Sequence, residues 1–481
     1  LFLQELSLDL LEELALCDCA VFVDAALEGE EVQVREIFPE NKPSFLSHHL
    51  LPEQFLFWLE ELYHRRPRAF LLSLRGYNFD FGQGLSPEAL ASAEKGIKIL
   101  ESLIKEVQER EERMSDPRID KLAHLLVDYS VEVKPGEVVV INSTPEAADL
   151  VRAVFREVLL HGGHPLLRLG LDGLDEIFFR YASEEQLDFV PEIRRFEVEH
   201  MDAQIGIGAP ANLRELAGID PKRITRRRKV LEPLMKRFMK SREEGGIKWV
   251  GFDYPTNALA QEAGMSLSDY TDFVFKACMP DLEDPVSYWK KVHEEQERLA
   301  EFLGQVEELH FEGPNLDLKM KVKGRKWINC DGKINMPDGE IFTGPIEDSA
   351  QGFIYFEYPS EFFGKPVEGI RLEFERGEVV KFSAEKGEES LKAALEIDPG
   401  ARRIGEISFG TNFGIQICTK NTLFDEKIGG TVHLALGNSY SESGGVNESA
   451  IHWDIVREMK NGSRVKADGK VIYENGKFLN F

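Results

Sequence analysis

The sequence predicts a mixed α/β and β-rich protein: a partial α/β unit over residues 1–110, an open α/β sheet domain over 116–300, and an antiparallel, barrel-like domain over 305–481. Three observations carry that expectation. The charge-rich stretch "IKEVQEREERMSDP" ends at Pro117 and marks the first boundary. From there to about 300, helical segments alternate with short, continuously apolar runs, the pattern of strands buried on both faces. Beyond about 305 the runs become short and alternating, with Gly-bearing turns between them, as in an antiparallel sheet or barrel.

Within the first unit, an apolar strand is expected around Val21 to Ala26, a helix over Pro52 to Tyr63, a strand over "AFLLSLRG" and a long amphipathic helix from Ser86. The chain opens at Leu1 and runs directly into "LSLDLLEELALCDCAVFVDAA", so the expectation is that the beginning of this fold is missing. In the second part, "DPRIDKLAHLLVDYSVEVKPGEVVVINST" gives a helix, a Pro-Gly turn and a strand at 137–142. A helix from Pro145 to His161, a Gly-Gly-His-Pro turn and the strand "LLRLG" follow, then the strands "AQIGIGA" and "IKWVGFD". The charged helix "YWKKVHEEQERLAEFLG" hands over to the β-rich part, where "LDLKMKVKG", "GIRLEFERGEVVKFSAE", "EISFGTN" and "KVIYENGKF" read as strands.

At 481 residues and a formal charge of -27, the chain can bury a large core and repels polyanions, so nucleic acid and anionic membrane are poor partners. The basic run "KRITRRRK" reads as a solvated helix face. Five cysteines without CxxC pairs favour a reducing compartment, and no apolar run reaches the roughly 20 residues of a spanning helix, so the expected location is cytoplasmic. HExxH, GxSxG, GxxxxGK[ST] and dinucleotide motifs are all missing, which removes the usual signals of zincins, serine hydrolases and nucleotide enzymes.

The chemistry-bearing residues cluster in the β-rich part. Only His433 and His452, of eleven histidines, follow residue 310, and each interrupts an apolar strand-like run, "GGTVHLALG" and "SAIHWDIV". His452 and Asp454 are two apart, so a strand projects both from one face. Alone, such a pair is more often a satisfied core contact than a ligand set. Glu340, in the Pro- and Gly-punctuated "NMPDGEIFTGP", and Glu406, heading an apolar strand, add two carboxylates. Five oxygen and nitrogen donors then suit a pair of divalent cations about 3.5–4 Å apart, with one bridging carboxylate.

The blocks "PDGEIFTGPIEDSAQGFIYF", "IGEISFGTN", "NTLFDEKIGGTVHLALGNSY" and "GGVNESAIHWDIV", in that order, resemble the thermophilic aminopeptidase family of metallopeptidases, of the aminopeptidase T and aminopeptidase S type. The resemblance runs from about 116 to the C-terminus. It implies an α/β domain, a β-rich domain holding two divalent metal ions per protomer, and a homodimer acting on peptide substrates. Matched by motif, the metal ligands are Glu340, Glu406, His433, His452 and Asp454, with Glu406 as the bridge, and Tyr440 is the active-site tyrosine. Zinc, cobalt and manganese suit these donors equally. Relatives often carry an acidic residue where this chain has Gly339 and alanine where it has Gly344, and the segment between the two histidines is short here.

That family implies a metal-activated water attacking the scissile carbonyl, with Tyr440 stabilising the oxyanion and Glu340 or Glu406 carrying the proton to the leaving amine. Glu347 and Asp348, beside the first ligand, are candidates for reading the substrate ammonium. A different chemistry, a ring-cleaving dioxygenase on the same fold, would need one iron on His433, His452 and Asp454 alone. Residues 1 to about 105 resemble the latter half of a hydrogenase maturation protease, which binds nickel and trims a hydrogenase large-subunit precursor. Its Asp and His ligands map to Asp24 and His49, while its Glu-bearing opening is absent, so a degenerate accessory unit that docks on such a precursor is expected.

Overall fold

Leucine, valine and phenylalanine runs at Cys19–Ala26 and Arg68–Arg75 pair in parallel, and Val32–Ile37 joins antiparallel on the other side of Arg68–Arg75. This three-stranded sheet belongs to the first of two units, Leu1–Ser115 and Asp116–Phe481, in a computed structural model that describes residues 10–15, 17, 19–39, 51–63, 65–77, 85–114, 116–243 and 245–479. The Pro52–Tyr63 helix turns Phe55, Leu56 and Leu59 inward, a helical stripe. Leu56 packs with Ala20, Ile37 and Ala69. Asp24 is exposed on its strand, and its Oδ1 accepts from the Ala25 N–H. His49 lies outside the described residues.

In the second unit, four parallel strands, Val138–Ser143, His164–Leu169, Ala203–Gly208 and Lys248–Asp253, are joined by helices, as parallel neighbours require. The helices Pro117–His124, Ala148–Leu160 and Leu267–Cys278 share a core with Val139, Ile141, Ile205 and Val250. A short fifth strand, Asn335–Met336, pairs with Gly251 and Phe252. It comes from the segment just before Glu340, so the α/β sheet anchors the chain that delivers that carboxylate.

Among the described residues, the β-rich part holds two large antiparallel sheets and a small two-stranded one, Ser360–Phe362 with Lys365–Val367. One large sheet has eight strands, among them Glu308–Gly313, Leu316–Lys321, Gln351–Phe356 and Ile370–Glu375. The other has five: β1 (Ile328–Cys330), β2 (Glu340–Thr343), β3 (Ile404–Gly410), β4 (Thr431–Gly437) and β5 (His452–Glu458), adjacent in that order. Phe311, Leu318, Ile354 and Leu372 of the first sheet share a core with Ile341, Ile407, Phe409, Leu434 and Ile455 of the second. The barrel-like expectation is therefore replaced by two open sheets stacked on one core. Strands β3 and β4 are buried at every position, so covering the second face takes the place of closing into a barrel. No described helix is long and apolar enough to cross a membrane.

Candidate metal centre

Strand register decides which side chains meet. Ser408 lies opposite His433, Glu406 opposite Ala435, Glu340 opposite Gly410, and on β5 Asp454 and His452 lie opposite Ala435 and Gly437. Because side chains alternate, Glu340, Glu406, His433, His452 and Asp454 all project from one face of the sheet, while Ile341, Ile407, Leu434 and Ile455 project into the core. The neighbours sharing the polar face, Ser408, Gly410, Ala435 and Gly437, are small and leave room between the larger groups. A bulge at Gly405 separates Ile404 from Glu406, so the isoleucine enters the core and the glutamate does not. Only glycine fits there: a Cβ would lie 2.3 Å from the Asn438 carbonyl oxygen.

The five groups form a continuous cluster. His433 Nε2 lies 2.9 Å from Glu406 Oε1, 3.5 Å from Glu340 Oε2 and 3.8 Å from Asp454 Oδ1. His452 Nε2 lies 3.3 Å from Asp454 Oδ1 and 3.7 Å from Glu406 Oε2. Both rings are oriented from behind: His433 Nδ1 meets the Glu426 carbonyl at 3.1 Å and His452 Nδ1 meets the Asn438 carbonyl at 2.8 Å. Each Nδ1 thus donates to the backbone and each Nε2 faces the carboxylates, the arrangement that supports histidine ligands. Glu340 Oε2 accepts from Ser408 Oγ at 3.0 Å.

Burial disfavours a charged ring at His433 and His452, but the surrounding carboxylates, Glu406 and Asp454 foremost, outweigh it and lift both imidazoles to about 10. Burial alone would raise Asp454, yet the two imidazoles hold it down, whereas burial prevails at Glu406 and pushes it up. Each Nε2 therefore attracts a cation, proton or metal. Asp454 Oδ1 adds an independent sign: it is buried and makes no hydrogen bond. A buried carboxylate oxygen that forms no hydrogen bond, with two oriented Nε2 atoms 3.3 and 3.8 Å away, fits a metal ligand. The N/O donor set suits zinc, cobalt or manganese.

Two further site residues escape sequence reasoning. Lys427 has no exposed surface, lies 3.6 Å from Glu340 Oε1 and pairs closely with Glu426. Burial opposes its charge, but Glu426, Glu340 and Asp338 hold it well above the ordinary lysine value. One oxygen of Glu426 lies within 4.8 Å of ligating atoms of His433 and Asp454, and burial raises its carboxyl. Both residues sit in the charged segment "DEKIGG". They are carried inward by the Thr422–Asp425 helix, whose cap Asn421 donates to Asp253 Oδ2 at the end of a parallel strand, at 2.8 Å.

Tyr440 stands beside the cluster, its ring 4.9 Å from that of His452 and 5.5 Å from that of Phe342. Its outer edge is open to solvent, 43% exposed, while partial burial and then Glu406 and Asp454 raise its hydroxyl. Glu347 is engaged elsewhere: it takes two bonds from Arg325, at 2.7 and 2.8 Å, and one from the Val446 N–H. Asp348 is exposed. Gly339 has a φ of +115°, and a Cβ there would lie 2.8 Å from that of Asn412, so an acidic side chain does not fit. At Gly344 a Cβ would lie 3.1 Å from Ser443 Oγ, because the short segment between the two histidines packs against it. A cavity of about 240 Å³ opens over Asp454 and Glu426 and is bounded by Trp453, Ser360, Glu361 and Lys420.

Residues 115–478 match the thermophilic metalloprotease (M29) family. Aminopeptidase 2 of Geobacillus stearothermophilus is 29% identical over 381 residues, covering 71% of this chain and 92% of that protein. Aminopeptidase T of Thermus thermophilus is 29% identical over 406 residues, covering 74% and 95% respectively. The solved structure of wild-type AmpT from Thermus thermophilus aligns with a TM-score of 0.65 at 25% identity, covering 75% of this chain and 99% of that one.

Proposed function

The chain belongs to the thermophilic metalloprotease (M29) family, and on that premise we propose that it removes the N-terminal residue of peptides with the aid of divalent ions held by Glu340, Glu406, His433, His452 and Asp454. Membership makes it a metallo-aminopeptidase, a hydrolase of peptide bonds. The observation that supports the ligand set best is Asp454 Oδ1, buried and without a hydrogen bond between two Nε2 atoms whose other nitrogens are already tied down. Two ions, zinc, cobalt or manganese, would supply an acidified water and polarise the scissile carbonyl. Glu406 is our choice for the bridge, since it presents Oε1 to His433 at 2.9 Å and Oε2 to His452 at 3.7 Å.

The chain's own residues then divide the remaining work. Glu340 and Glu406 have their oxygens engaged as ligands in this reading, so we assign proton transfer to Glu426, which lines the cavity with one oxygen within 4.8 Å of ligating atoms of His433 and Asp454. Lys427 balances Glu426 and Glu340. The Tyr440 phenol donates to the oxyanion of the tetrahedral intermediate. With Glu347 bound to Arg325, the substrate ammonium is better read by a cavity carboxylate such as Glu361 than by Glu347 or exposed Asp348. A Glu406→Ala variant tests the centre: it should lose both bound metal and release of N-terminal residues.

The reading extends to a homodimer in the cytoplasm, where the free thiols of Cys278, Cys330 and Cys418 are at home. For the first unit, the resemblance to a hydrogenase maturation protease supports a docking role and not catalysis. A pull-down of a hydrogenase large-subunit precursor, with and without residues 1–110, tests it; equal recovery would count against docking.

A further inference from the structure

Two helices of the α/β part carry a separate set of metal-ligating side chains. His124 ends the Pro117–His124 helix, and Asp128 lies four residues on, in the π-helical turn Leu125–Ser130 that continues it. Glu157 and His161 are likewise four apart, at the end of the Ala148–Leu160 helix. A four-residue step stacks side chains on one helical face, so each helix offers a pair. The pairs meet: His124 Nδ1 lies 2.7 Å from Glu157 Oε1, and His161 Nε2 lies 3.3 Å from Asp128 Oδ1. The Arg156–Asp120 ion pair, at 2.5 Å, holds the same two helices together one turn earlier. One ligating atom from each of His124, Glu157 and His161 lies within 4.8 Å of the other two, His161 Nδ1 standing 3.7 Å from Glu157 Oε1, and Asp128 adjoins this group through His161 Nε2.

Orientation gives these side chains a chemical reading. His161 Nδ1 lies 2.9 Å from the Glu157 carbonyl and donates to it, which leaves the Nε2 lone pair facing the Asp128 carboxylate. Two acceptors at that separation repel unless a proton or a metal ion lies between them. A tetrahedral zinc ion with nitrogen and oxygen ligands at about 2.0–2.2 Å places those ligands roughly 3.3 Å apart. A histidine whose second nitrogen is held by a carbonyl is the form such an ion prefers. Glu157 and His161 are largely sheltered, with side chains 14% and 21% exposed, so the pair is held in place and not left waving in solvent. Carboxylates and histidines projecting from facing helices are a recurrent way of building a metal site.

We propose that His124, Asp128, Glu157 and His161 form a second, structural divalent-cation site suited to zinc, clamping the 117–130 helix to the 148–160 helix. It shares no residue with the candidate catalytic centre and stands independently of the peptidase reading. To test it, full-length protein is stripped with chelator, dialysed against zinc, and its bound zinc counted beside two variants. His124→Ala/His161→Ala removes the imidazoles; Asp128→Asn/Glu157→Gln keeps side-chain shape should the first not fold. Each is expected to hold one zinc fewer per protomer than wild type, to retain wild-type peptidase activity, and to lose the rise in thermal midpoint that zinc gives the wild type. Equal zinc content in wild type and folded variants would overturn the proposal, leaving the four residues as ordinary ion pairs.

Discussion

Lys427 is the residue on which charge balance at the centre turns. Its ammonium is buried between Glu340 and Glu426, and removing one partner of a buried charge pair leaves the other uncompensated. Lys427→Met should therefore destabilise the protein by about 3–5 kcal/mol, read from the midpoint and slope of urea unfolding. Glu426→Gln is close in shape and keeps the ligand set, so bound metal should stay at the wild-type level. Its kcat should fall by about 10²–10⁴, the range for loss of a positioned acid or base. Loss of metal from that variant would recast Glu426 as a ligand. What could be read in advance differs between these residues for a physical reason. His433, His452 and Asp454 interrupt apolar strands, where an unsatisfied polar group is costly and conspicuous. Glu426 and Lys427 lie in a charged turn whose burial depends on distant carboxylates and on Asn421 meeting Asp253, and no local pattern announces that.

At the scale of elements, the centre depends on how β2, β3 and β4 are aimed. Gly339 precedes β2 with a φ of +115° and lies against Asn412, so Gly339→Ala combines backbone strain with a clash. A loss of about 1–3 kcal/mol is expected for the strained backbone, accompanied by weaker metal retention because Glu340 follows directly. Stability curves and metal titration measure both; a variant indistinguishable from wild type in each would show that the turn does not set Glu340. Elements with clear periodicity or punctuation were legible: the Pro52–Tyr63 helix, the parallel strands after Pro-Gly and Gly-Gly turns, and the alternating β runs. Others were not. Val32–Ile37 is a six-residue run whose Val-Gln-Val alternation breaks at Arg35-Glu36, and it is fixed by pairing with Arg68–Arg75, and the π-helical turn at Leu125–Ser130 has no sequence signature. The two-sheet stack was missed because alternation shows that a strand has an inner face, not whether its sheet closes.

For the whole molecule, the matched region and the second structural unit start together, at residues 115 and 116. A chain of residues 116–481 should keep peptidase activity on its own, and an inactive but folded product would tie catalysis to the first unit. The outer parallel strand His164–Leu169 leaves Leu166, Leu167 and Leu169 38–50% exposed along a sheet edge, where the proposed homodimer would pair. Leu167→Lys should then shift the molar mass from dimer to monomer in light scattering. The central claim is tested most directly by counting bound divalent ions in wild type and Glu406→Ala while assaying release of the N-terminal residue from leucine-, tyrosine- and arginine-initiated peptides. The expected result is stepwise N-terminal release by wild type, and in the variant two ions fewer per protomer and no release. A wild type holding one iron per protomer and cleaving none of these peptides would contradict it.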